Sequence, residues 1–179
     1  MAETIVTRRW RYRAIFAALA FIVIFARLLP LDAGPGGLPG PDLVLLLAFA
    51  WVLRRPDYVP VVLVAVVMLL MDVLFLRPLG LWAACTVLAL EFLRSREAGA
   101  RDLPFLFEWV LVGGVIVMMT LGNMLILALF AVSQPPLGLL LIQMIMTILS
   151  YPLVVLFSAK GLGLKKMSPG AVDQLGHKL

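Results

Sequence analysis

Residues 41–60 read PDLVLLLAFAWVLRRPDYVP, in which eleven consecutive apolar residues, Leu43–Leu53, run from a Pro-Asp pair to two arginines. A segment of this kind suits the hydrocarbon of a bilayer, and Pro41 suits the first turn of a helix, where its missing N–H is not needed. Taken as span 42–54, it reaches only about 20 Å at 1.5 Å per residue, against about 30 Å of hydrocarbon. Three arrangements stay open for it: a thinned bilayer, snorkelling of Arg54 and Arg55, or a partly re-entrant path.

Outward from this stretch the pattern repeats. Apolar runs alternate with short polar gaps, and every second gap is basic. Thirteen of the fifteen Lys and Arg residues lie on one side of this alternation: Arg8, Arg9, Arg11 and Arg13, then Arg54 and Arg55, then Arg94, Arg96 and Arg101, then Lys160, Lys165, Lys166 and Lys178. The remaining two are Arg27 and Arg77. Basic loops resist translocation, so both termini are expected in the cytoplasm. The fold expected is all-α, a polytopic membrane helix bundle of six transmembrane helices within residues 1–160, with spans near 12–31, 42–54, 58–76, 79–94, 104–132 and 136–159. Residues 161–179 form a short cytoplasmic tail.

Composition agrees. A hydrophobic fraction of 63% and a mean hydropathy of +1.08 exceed the soluble norm of roughly 45–50% apolar residues. The spans use up the 179 residues, so no loop can fold alone and a large soluble catalytic domain is excluded. The net charge of +5 reflects sidedness and favours an anionic inner leaflet; no nucleic-acid partner is expected. Arg8–Arg13 ahead of Ala14–Ala26 resembles a signal peptide, but Arg27, Leu28, Leu29 and Pro30 offer no clean cleavage site, so an uncleaved first helix is expected.

Ionisable residues inside spans are costly and mark places to explain. Arg27, Asp42, Asp72 and Arg77 should share one level near the outer interface, where two cations and two anions neutralise each other between helices. They read either as a structural ion-pair network that sets helix register or as a site for a polar ligand or proton relay. Asp72 is the deepest acid of this set; Arg77, five residues on, and Arg27 on another helix are both open to it as partners. Glu91, Glu108, Arg94, Arg96 and Arg101 form the inner set. Two polar stripes follow at helical spacing: Gly113, Ile116, Thr120, Asn123 and Leu127 on span five, and Gln143, Thr147, Ser150, Val154 and Ser158 on span six. Small and hydroxyl-bearing residues make packing seams between helices. Pro152 should kink span six and free a carbonyl one turn earlier, and the length of span five implies tilt, a kink near Gly113-Gly114 or extension beyond the membrane.

Catalytic signatures are missing from the sequence. The single histidine, His177, lies in the tail, and the single cysteine, Cys85, reads as a small apolar-span residue. No Cys/His metal cluster and no phosphate-binding loop is present, so neither an enzyme nor a cofactor is expected.

Pro41-Asp42 leading into residues 45–60 (LLLAFAWVLRRPDYVP), residues 69–83 (LLMDVLFLRPLGLWA) and residues 90–96 (LEFLRSR) together resemble MreD, the rod shape-determining membrane protein, in an alphaproteobacterial-like form. The likeness is strongest over residues 41–96, and Asp72 followed by Arg77-Pro78-Leu79-Gly80 discriminates best. The resemblance implies a non-catalytic inner-membrane scaffold of the bacterial elongation machinery. Its partner would be MreC, through a transmembrane helix, and indirectly MreB, RodA and its class B penicillin-binding partner; a homodimer is compatible. The fold implied is similar to the substrate-binding membrane subunits of energy-coupling-factor vitamin transporters. The family often carries glycines before its third-helix acid, whereas here residues 68–71 are Met-Leu-Leu-Met. The alternative reading is a small-molecule, vitamin-like binding subunit of a transporter.

Overall fold

The computed structural model describes residues 2–29, 39–100, 104–132 and 136–164. Arg101, the Gly/Pro loop through residue 38, residues 133–135 and the tail from residue 165, including His177, lie outside the described residues. Six α-helices fall where the six apolar runs were read: α1 Ala2–Leu28, α2 Leu43–Val52, α3 Val61–Leu74, α4 Leu81–Ala100, α5 Phe105–Leu129 and α6 Leu137–Gly161. A short 3-10 turn, Pro56–Tyr58, joins α2 to α3, and the described residues contain no strand.

The centre of the molecule is α2. From Val44 to Leu53 every residue is buried, with Phe49, Trp51 and Leu46 fully so. A helix that is apolar all round belongs in an interior, and α2 packs on α1, α4 and α6. The ring around it runs α3, α4, α5, α6, with α1 packed on α3. Tyr12 of α1 closes the circuit by donating its hydroxyl to the Leu162 carbonyl just past α6. Tyr12 also stacks on Tyr58 at 4.4 Å and meets the edge of Trp51, so the α2–α3 connection is held by aromatic contact.

Polarity is distributed the opposite way from a water-soluble bundle. Asp42, Arg54, Asp72, Thr86, Glu108, Thr120, Thr147 and Ser158 are buried, while Phe21, Val62, Val66, Leu88, Val110, Met118, Leu125, Leu149 and Leu153 stand open. Such an exterior fits lipid rather than water. Two helices, α5 and α6, are long and apolar enough to cross a membrane. At 25 residues each they reach about 37 Å. By contrast α2, at 10 residues, reaches about 15 Å, and α3, at 14, about 21 Å. The longer α1 and α4 carry their charges on the helix itself. Arg96, read as lying beyond span four, belongs with Arg94 to the last turns of α4, which runs on to Ala100.

No break occurs in α5 at Gly113-Gly114. Its Gly113 sits against Ile148 of α6, where an added Cβ would lie 3.5 Å from the Ile148 side chain. Pro152 is likewise carried inside α6. Lacking an N–H, it cannot bond the Ile148 carbonyl four residues back; the Trp109 indole of α5 donates to that carbonyl instead, at 2.9 Å. Trp109→Phe should therefore lower unfolding stability in detergent by about 1–2 kcal/mol through an unpaired carbonyl. In a Pro152→Ala background the helix supplies its own donor, so the same change should cost clearly less; equal costs in the two backgrounds would show that the indole does not serve this carbonyl.

Candidate functional site

Contacts between helix ends sort the bundle into two poles. At one pole α1 begins, α2 ends, α4 ends, α5 begins and α6 ends, and every described Lys and Arg except Arg27 and Arg77 lies towards it. Arg9 pairs with Asp57 at 2.9 Å, Arg13 donates to the Asp57 carbonyl, and Arg94 pairs with Glu91 at 3.3 Å while donating to the Val59 carbonyl. Beneath this layer Arg54 turns inward. Its guanidinium bonds the Ala50 carbonyl and, at 2.9 Å, Glu108 Oε1, which also accepts the Tyr151 hydroxyl at 2.6 Å. The Arg54 and Glu108 side chains are only 5% and 0% exposed. Snorkelling, one of the arrangements open to Arg54, is thus not what it does: a buried carboxylate on α5 holds it inside. Nearby, the Trp51 indole donates to Ser158 Oγ at 3.1 Å.

At the other pole Asp72 serves the backbone. The chain leaves α3 through a Schellman turn, with Leu76 in the left-handed region (φ 51) and the Arg77 N–H bonded to the Asp72 carbonyl at 2.9 Å. Pro78 prevents the helix from resuming. This turn delivers Gly80 (φ 83) and Ala83 to the Asp72 carboxylate, whose Oδ2 accepts both backbone N–H groups, at 3.1 and 3.3 Å. Asp72 thereby caps α4 from the neighbouring helix, favourably placed for the positive end of its dipole. Neither Arg77 nor Arg27 is its hydrogen-bond partner. Arg27 donates to the carbonyls of Gly40 and Pro41. Of the expected pairing of two cations with two anions, one ion pair is present, Arg77 with Asp42, while Arg27 and Asp72 bond backbone groups.

Asp42 caps α2: its Oδ1 accepts the Leu45 N–H at 3.2 Å, and its own N–H donates to Thr147 Oγ1 of α6 at 3.1 Å. The Thr147 hydroxyl in turn donates to the Gln143 carbonyl. Arg77 Nη1 stands 4.0 Å from Asp42 Oδ2. Between them and the facing halves of α4, α5 and α6 lies a cavity of about 350 Å³. Asp42, Arg77, Thr120, Asn123, Gln143 and Thr147 all line it. The charged pair and one end of each polar stripe, read separately along the chain, therefore converge on one space. Arg27, Asp72, Gly80, Gly113 and Ser150 do not line it. Trp82, which the sequence reading passed over, does, and its indole N–H is buried without a hydrogen-bond partner. Among the described residues no group of three His, Cys, Asp or Glu side chains is placed to hold a metal ion.

No family model matches the chain, and neither a curated protein nor a solved structure shows significant similarity to it.

Two substitutions separate capping from charge pairing. Asp72→Asn keeps an acceptor for Gly80 and Ala83 and should cost under about 1 kcal/mol, whereas Asp72→Leu strands both donors and should cost about 1–3 kcal/mol. Cys85→Ala, which breaks no such bond, sets the baseline; matching unfolding curves for Leu and Ala variants would remove the capping role. Glu108→Leu leaves Arg54 buried and uncompensated, at about 3–5 kcal/mol, and adding Arg54→Met should recover most of that loss.

Proposed function

We propose that the chain is a six-span inner-membrane scaffold of the MreD type. Its cation-rich pole and both termini lie in the cytoplasm, and the Asp42–Arg77 pole faces the outer interface. It carries out no chemistry itself. In this reading it binds the transmembrane helix of MreC and through it helps maintain rod shape and lateral peptidoglycan synthesis with MreB, RodA and the class B penicillin-binding partner.

The observation that carries this reading is the open face of α5. Gly113 is used inside the bundle, but a Cβ added at Gly114 or Gly122 would meet nothing within 4 Å, and Met118, Leu121 and Leu125 stand open beside them. In lipid, small residues among apolar ones let a second helix approach closely. The motif that carries the resemblance also has a physical role here: Asp72, Pro78 and Gly80 together build the turn and cap that start α4.

Co-expression with MreC and purification from detergent should yield a complex. Gly114→Leu and Gly122→Leu, facing open space, should leave folding intact but weaken capture by about tenfold, equivalent to about 1.4 kcal/mol of lost packing. A well-folded protein that never retains MreC would sink the scaffold reading. For sidedness, Asp57→Cys in a Cys85→Ala background should be labelled by an impermeant thiol reagent from the cytoplasmic face only. A second reading, a small-molecule binding subunit of a transporter, is favoured by the cavity; a soluble ligand retained through purification and lost in Asp42→Asn would support it.

A further inference from the structure

Asp42 and Arg77 stand side by side on the lining of the cavity, as a loose ion pair. Asp42 spends Oδ1 on the Leu45 N–H. Its Oδ2 accepts no hydrogen bond, although the side chain is only 4% exposed. The 4.0 Å to Arg77 is too long for a hydrogen bond, so the carboxylate is neutralised at a distance and left with a free acceptor. Beside it, Arg77 is held over the rings of Phe75 and Trp82, each 5.8 Å from its guanidinium carbon. Its side chain is 27% exposed, and a guanidinium offers several N–H groups to a phosphate or carboxylate. The unpartnered Trp82 N–H is a second, buried donor on the lining.

An isolated cation would satisfy Asp42 and repel Arg77; an isolated anion would do the reverse. A molecule carrying both charges meets both groups and leaves the site neutral. The free acceptor of Asp42 calls for an N–H, which a quaternary ammonium lacks. We propose that the cavity binds a zwitterion in which a primary ammonium is joined by a short linker to a phosphate or carboxylate: the ammonium donates to Asp42 Oδ2 and the anion lies on Arg77. At about 350 Å³ the space is that of a small-ligand site. Two sources offer this chemistry, the headgroup of an ethanolamine phospholipid and a free zwitterion. The lipid source is favoured by Leu76, which lines the cavity yet is 93% exposed and so can meet an acyl chain. Since the cavity lies on the face of α5 opposite Gly114 and Met118, occupancy and partner capture are separable properties.

The test uses the full chain in detergent, with native mass spectrometry of bound lipid. Phosphatidylethanolamine, phosphatidylcholine and phosphatidylglycerol of equal chain length are the probes. Phosphatidylcholine keeps the charges but lacks the N–H; phosphatidylglycerol lacks the cation. Phosphatidylethanolamine should bind at least tenfold better than either. Asp42→Asn, which keeps the α2 cap because Asn caps as well as Asp, should abolish that preference, as should Arg77→Gln, while Cys85→Ala retains it. In parallel, free phosphoethanolamine is titrated against thermal unfolding. A shift from free phosphoethanolamine without lipid selectivity supports the zwitterion site with a soluble source. Lipid binding that ignores headgroup together with no response to phosphoethanolamine overturns the proposal, as does a preference that survives both variants in folded protein.

Discussion

The rest of the structure hangs on the burial of α2 on every side. A helix of 10 residues cannot traverse a bilayer unaided, and one without a polar stripe has no face to turn to water. Surrounding it with α1, α4 and α6 removes that conflict but creates another, because both ends of α2 bring charge into the interior. Asp42 at its start and Arg54 after its end must each be satisfied there. The first caps its own helix and binds α6 through Thr147; the second is neutralised by Glu108 of α5, which Tyr151 of α6 also supports. The same contacts that make α2 tolerable thus lock the surrounding helices in register.

If the exterior faces lipid, burying another leucine gains little, since acyl chains are as apolar as the core. Packing and hydrogen bonds then decide the fold. The buried bonds are accordingly placed where helices need them: an indole for the carbonyl that Pro152 leaves open, a carboxylate for the first N–H groups of α4, and a hydroxyl for the N–H of Asp42. Little of this set is available for chemistry. Among the described residues, the Asp42–Arg77 cavity and the open face of α5 are two places these bonds leave uncommitted.

The six helices were legible because Pro, Gly and paired charges punctuate the chain between apolar runs. Their roles were less so. Leu43–Leu53 reads the same whether lipid or protein surrounds it, and its shortness pointed to a thinned bilayer, snorkelling or a re-entrant path rather than to the centre of the bundle. Asp72 drew attention as a buried acid, but its partners are backbone N–H groups, which any residue at 83 would supply, and Gly80 is their one trace in the sequence. Arg54 and Glu108 are 54 residues apart, each at the end of an apolar run, and nothing local joins them. Pro152 announced a free carbonyl without saying that Trp109 would fill it. Asp42, Arg77, Thr120, Asn123, Gln143 and Thr147 were all picked out, yet their meeting around one cavity depends on how four helices are arranged, and that order is not written in any one of them.

The central position of α2 is most directly tested by thiol reactivity within the bilayer. In a Cys85→Ala background, single cysteines at Phe49 of α2, Val66 of α3, Leu88 of α4 and Leu153 of α6 would be exposed in membranes to a lipid-soluble maleimide. Rapid reaction at 66, 88 and 153 with none at 49 is expected if α2 is sheathed by protein while its neighbours face acyl chains. Reaction at 49 as fast as at 66 would place α2 at the lipid boundary and contradict the architecture.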